Sequence, residues 1–199
     1  MHAAMQKLPW EYGVFFDGGL GVAGKSADHF LNAGVHAGKV LTAPAGLGIL
    51  RGQFEYAAEL MPYWQTFTPK QTYIPPVRSL SQIPAVTTGG TYTGIGMTPA
   101  ILRWDLVRPQ GHWKRAFPWL QGAGGLIWTN HKFPPNGPKG TSVWNFTPQF
   151  GVGLHYFLKP DRAITFAANA VHISNASLGD SNPGVNATVQ FQIGYTWWK

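Results

Sequence analysis

The sequence predicts an all-β chain folded as an eight-stranded antiparallel up-and-down transmembrane β-barrel, and three observations carry that expectation. Glycine (25) and proline (16) are scattered through all 199 residues, which is incompatible with long helices. Apolar residues recur at every second position in segment after segment, the period of a strand whose two faces meet different surroundings. No apolar run approaches the roughly 18 residues that a membrane-spanning helix needs, so a chain with this many exposed-parity aromatics crosses a bilayer only as a closed barrel. Charged residues make up 12% of the chain against 14% aromatics, which excludes a coiled coil or a disordered tail.

The elements follow in order. Residues 10–22 place Tyr12, Val14, Phe16, Leu20 and Val22 on one face and Glu11 and Asp17 on the other. Residues 29–41 set Leu31, Ala33, Val35, Ala37 and Leu41 against Asn32 and His36, and residues 48–64 set Leu50, Phe54, Tyr56, Ala58 and Leu60 against Arg51, Gln53, Glu55 and Glu59. In 91–106, Ala100, Leu102, Trp104 and Leu106 face away from Arg103 and Asp105. The alternation is blurred in 114–129, which is placed by its spacing. It returns in 142–158, where Trp144, Phe146, Phe150, Val152, Leu154, Tyr156 and Leu158 oppose Asn145, Thr147, Gln149 and His155. Residues 162–175 and 186–199 complete the set, the last with Val189, Phe191, Ile193, Tyr195 and Trp197 against Thr188, Gln190, Gln192 and Thr196.

Alternation alone does not say which face is inside. The polar faces carry ionisable groups of both signs from several strands, which suits mutual pairing in a narrow lumen, and the apolar faces carry large aromatics, as lipid-facing bands do. An eight-stranded barrel is just wide enough to be filled by its own side chains, so the expectation is a plugged barrel and not a channel. Long connections (65–90, 130–141) alternate with short ones (42–47, 107–113, 159–161), as outer loops and periplasmic turns do. Residues 1–199 read as one domain. Residues 1–9 form a lead-in without the basic segment and apolar core of a secretory signal, so an exported form would be a processed chain.

Strand seven carries the candidate chemistry. Its upper end reads Ala170-Val171-His172-Ile173-Ser174-Asn175-Ala176. Residues two apart on a strand share a face, so His172 and Ser174 project together, on the outward parity of Phe166 and Ala170. A serine beside an imidazole base is a potential nucleophile, and at that place it would meet lipid esters.

The segment from His172-Ile173-Ser174-Asn175-Ala176 through Asn182-Pro183-Gly184 into the final apolar strand resembles the lipid A 3-O-deacylase (PagL-like) family of outer-membrane barrels. The resemblance implies His172 as base, Ser174 as nucleophile and Asn175 as oxyanion donor, helped by a backbone N–H near Ser177. It implies lipid A of lipopolysaccharide as substrate, surrounding outer-membrane lipids as partners, and no metal or other cofactor. The family's acid falls at Asn186 here, with Asp180 in the same loop as an alternative acid; uninterrupted alternation places Asn186 with the inward set beside Gln190. A catalytically weak lipid-binding barrel of the same fold is therefore a second expectation, and a soluble lipocalin-type barrel a third.

Other signals carry less. His36 and His155 are expected to be satisfied interior histidines, with no His–Glu cluster of ligand spacing beside them. Gly18-Gly19-Leu20-Gly21 sits within a strand, where close packing explains it better than phosphate binding. Lys70, Arg78, Lys132 and Lys139 are assigned to the two long outer loops, and the basic balance of +7 accompanies no nucleic-acid-binding motif.

Overall fold

The computed structural model describes residues 8–22, 27–74, 85–107, 115–135, 141–179, 181–182 and 186–199. Eight strands close a barrel in which each strand is antiparallel to its chain neighbours and β8 returns to β1. They are β1 (Trp10–Gly21), β2 (His29–Val40), β3 (Gly52–Tyr73), β4 (Val86–Leu106), β5 (Ala116–Phe133), β6 (Ser142–Lys159), β7 (Arg162–Ile173) and β8 (Asn186–Trp198). Closure satisfies every ladder hydrogen bond without leaving an edge, the condition for spanning hydrocarbon with strands.

The apolar parity faces out. Val14, Phe16, Leu60, Leu102, Phe150, Phe166 and Phe191 are exposed, whereas Glu11, Gln53, Glu55, Arg103, Gln121, His155 and Asn169 are buried in the lumen. This is the reverse of a soluble barrel and rules out the lipocalin-type expectation. The lumen has three storeys. Nearest the rim that carries the termini lies a cluster of Val107, Phe117, Phe157, Ala163 and Trp198. At the opposite rim Phe30, Trp64, Tyr92, Ile127, Phe133, Val171 and Ile173 form a second. The ionisable groups lie between the two. Cavities among them hold about 20 Å³ each, room for a water, so the filled lumen matches the expectation of a plugged barrel.

The boundaries differ most from the sequence reading at one hairpin, and β5 runs on to Phe133 where 129 is the expected end. Residues 48–50 form a 3₁₀ turn, so β3 begins at Gly52, and β3 and β4 then continue to Tyr73 and from Val86. Lys70 is thus a strand residue rather than a loop residue, as is Lys132 at the end of β5; Arg78 and Lys139 lie outside the described residues. The extension escaped pattern reading because residues 65–73 and 86–93 are rich in Thr, Gln and Tyr, with no apolar period. They pair above the lipid-facing band, where neither face needs to be greasy. Register shifts at Ala57/Glu59, Met61/Trp64 and Thr68/Gln71 interrupt the pattern further, each bulge adding a residue to one strand. Of the β1 glycines expected to be close-packed, Gly19 is, since a Cβ there would lie 2.5 Å from the Val189 carbonyl oxygen, whereas a Cβ on Gly18 would make only ordinary contact, 3.8 Å from the Phe30 carbonyl oxygen.

Candidate active site on the outer wall

His172 lies in the last turn-ward stretch of β7, opposite Ala187 of β8. Its neighbours Val171 and Ile173 point into the lumen and are buried, so the imidazole points out from the wall, where it is half-buried. Beyond Ile173 the chain keeps one more contact with the sheet, an antiparallel bridge in which Ser174 and Phe146 exchange both backbone hydrogen bonds (2.7 and 3.1 Å). Phe146 is an outward residue of β6, 44% exposed, and directly opposed residues share a face. Ser174 therefore projects from the same outer wall as His172, as the period of two requires.

The two side chains share the wall but do not hydrogen-bond to each other. Residues i and i+2 on a strand stand about 6.6 Å apart along its axis, and the chain turns away immediately afterwards. Ala176 and Ser177 adopt positive φ (48° and 64°), a conformation unfavourable for residues with a Cβ and typical of constrained functional loops. The turn brings the Ala176 N–H to Ser174 Oγ at 3.2 Å. Asn175 holds it from within: its Oδ1 accepts from the Ser177 N–H (2.9 Å), its Nδ2 donates to the Ser181 carbonyl (2.7 Å), and only 2% of the residue is exposed. Of the expected oxyanion donors, Asn175 thus has an amide hydrogen engaged by Ser181 and the Ser177 N–H is taken up in the turn.

Asn186 is the first residue of β8, paired with lumen-facing Ile173. No register shift interrupts the two strands between Arg162/Trp197 and Ile173/Asn186. Asp180 lies outside the described residues.

Sequence reasoning missed what lies beneath the pair. Ala123, Pro148, Phe150, Ala170, His172 and Ala187 line an open trough of about 360 Å³ on the outer wall. Next to it the outward positions of β5 are Gly122 and Gly124, paired with Phe150 and Pro148, and a Cβ on either glycine would meet no atom within 4 Å. The signal was present as a gap in the aromatic parity: between Leu120 and Leu126 of β5 no outward side chain exists.

His36 is an interior histidine as expected, but a His–Glu cluster does accompany it: Nε2 lies 3.2 Å from Glu11 Oε1 and 3.6 Å from Glu55 Oε1, and Nδ1 lies 3.3 Å from Glu59 Oε1. The partners come from other strands, so no local spacing reveals them. His155 is interior as expected, with Nδ1 against Thr165 Oγ1 at 2.8 Å, but it is not fully satisfied: its buried Nε2 has no hydrogen-bond partner among the described residues and lies 3.9 Å from Asp105 Oδ1.

Comparison with known proteins places this architecture. The sequence model described as "Lipid A 3-O-deacylase (PagL)" matches residues 55–196, most of the chain and all of the wall just described. The chain belongs to the lipid A 3-O-deacylase (PagL) family. Among solved structures, Neisserial surface protein A is 11% identical, with a TM-score of 0.53, over 94% of this chain and 96% of that one; at that identity the likeness is one of fold. The outer membrane enzyme PagL is 13% identical, with a TM-score of 0.49, over 93% of this chain and 98% of that one. No individually curated protein gives a significant match. As a PagL-family barrel with an apolar outer wall, the protein is an integral outer-membrane protein.

Proposed function

We propose that this PagL-family member is itself a serine esterase that removes an ester-linked 3-hydroxyacyl chain from lipid A. The observation that carries the reading is the outward placement of His172 and Ser174 on the apolar outer wall, with His172 lining an open trough there. Ser174 Oγ attacks the ester carbonyl carbon while His172 takes its proton. The tetrahedral intermediate collapses, the C–O bond to the sugar breaks, and the imidazolium protonates the departing alkoxide. Water, deprotonated by His172, then cleaves the acyl-serine and releases the hydroxy fatty acid. The Ala176 N–H, already beside Oγ, is the donor placed to meet the developing oxyanion; Asn175 and the Ser177 N–H join it only if the turn that they hold together rearranges. The missing His172–Ser174 hydrogen bond is compatible with this role, because such bonds often tighten only when substrate is bound.

Incubating the detergent-folded barrel with lipopolysaccharide tests the reading. Mass spectrometry is expected to find lipid A lighter by one hydroxyacyl chain together with the free fatty acid. Intact lipid A after prolonged incubation with folded protein would defeat it. The position of Asn186 favours a second reading, a lipid-binding barrel with little or no turnover: an amide in place of the carboxylate costs about 10⁴-fold in the serine-protease example. Labelling of Ser174 by a fluorophosphonate probe argues against that second reading.

The trough supplies a positioning test. Leucine at Gly124 would project into open space, so Gly124→Leu is expected to leave the unfolding midpoint nearly unchanged while displacing the acyl chain next to His172. A displacement of about 1 Å can cost up to about 10²-fold in rate. The loss should be read on long-chain lipid A and be much smaller on a short-chain ester. Equal losses on both substrates would remove the trough from the account.

A further inference from the structure

We propose that the sealed lumen holds a structural divalent cation of the zinc class, bound by Glu11, His36 and Glu55, with Glu59 orienting the histidine. This site is separate from the outer-wall pair and independent of hydrolysis. One atom from each of the three residues lies within 4.8 Å of the others, and all three residues are buried. The edges measured from His36 Nε2, 3.2 Å to Glu11 Oε1 and 3.6 Å to Glu55 Oε1, match the roughly 3.3 Å ligand–ligand separation of a tetrahedral ion with bonds of about 2.0–2.1 Å.

Three further observations point to a cation in addition to the ion pairs that Arg103 Nη1 makes with the same Glu11 and Glu55 oxygens. Glu55 is fully buried, yet neither of its oxygens accepts a hydrogen bond, and Glu11 Oε2 and His36 Nε2 are also without one. A buried polar atom left so costs about 1–3 kcal/mol, more for a charged group. The Nδ1 side of His36 hydrogen-bonds to Glu59 at 3.3 Å, and Gln192 Nε2 donates to the same Glu59 oxygen at 3.4 Å. That is the arrangement by which metal-ligating histidines are held: one ring nitrogen on a carboxylate, the other presented to the ion. Charge points the same way. Glu11, Asp17, Glu55, Glu59 and Asp105 face the lumen among the described residues, against the single guanidinium of Arg103, which reaches Glu11 at 3.0 Å and Glu55 at 3.6 Å.

The surroundings are built to fit. Gly38 makes room for the Glu55 carboxylate, since a Cβ there would lie 2.2 Å from Oε1. A cavity of about 20 Å³ beside Glu11, His36, Glu59 and Arg103 has space for a water as fourth ligand. Apolar clusters close the lumen above and below, so an ion taken up during folding would be held from exchange.

The test uses the full chain without an affinity tag, folded from urea into detergent with either zinc chloride or EDTA. Both samples are then washed with EDTA, which clears surface histidines, and their metal is counted by mass spectrometry. Protein folded with zinc is expected to keep close to stoichiometric metal through the wash, to release it on denaturation, and to unfold at a higher temperature than the EDTA-folded sample. Glu59→Gln should weaken retention about 10–100-fold with the folded β signature intact, and Glu55→Gln should abolish it. Wild-type barrel that folds in zinc and retains none overturns the proposal, as does undiminished retention in Glu59→Gln; both readouts stand even if Glu55→Gln fails to fold.

Discussion

Replacing Ser174 by alanine is expected to cut the release of hydroxy fatty acid from lipid A sharply while leaving the barrel folded. The side chain is outward and its only described hydrogen bond is the one it accepts from the Ala176 N–H, so the fold loses little. The size of the kinetic loss is informative. Removing the nucleophile of a complete triad costs about 2 × 10⁶ in turnover, and an amide in place of the acid has by itself cost about 10⁴. If Asn186 already forfeits the acid's contribution, the remaining drop for Ser174→Ala is only about 10²-fold. A loss near 10⁶ would mean that another group, such as Asp180, supplies the carboxylate. No loss at all would remove Ser174 from the chemistry.

Arg103→Met is expected to destabilise the barrel by about 3–5 kcal/mol, the cost of stripping one partner from a buried ion pair. The guanidinium is 3% exposed, bonds Glu11 through Nη1, donates from Nε and Nη2 to Gln121 Oε1 at 3.2 Å, and lies over the Trp119 ring at 4.4 Å. Methionine conserves much of the stem and leaves Glu11, Glu55 and Asp105 without their common cation. Urea unfolding in micelles measures the shift of midpoint. Adding Glu11→Gln should recover part of it, because residues in one network do not behave additively. A shift below about 1 kcal/mol would show that another counter-ion carries the cluster.

The barrel was legible because a two-residue period is local. Each outward residue of β1, β6 and β8 announces its face from its immediate neighbours, and the same parity places His172 and Ser174 on the outward face. The extended β3–β4 hairpin was not legible, since Thr- and Gln-rich strands above the hydrocarbon have no greasy face to show. The His36 cluster escaped for a different reason. Glu11, His36, Glu55 and Glu59 come from three strands and meet only when the cylinder closes, although each already stood on the polar parity. The trough escaped because it is made by side chains that are missing, at Gly122 and Gly124, and pattern reading looks for residues that are present.

The two aromatic clusters that stop the lumen have a consequence for encounter. Among the described residues the lumen is stopped at both ends, so under the proposed function lipid reaches the imidazole and hydroxyl sideways, by sliding within the leaflet. Capture is then a two-dimensional search: its frequency follows the mole fraction of substrate in the surrounding lipid and the fluidity of that leaflet, and diluting the whole suspension should leave the rate per barrel unaltered.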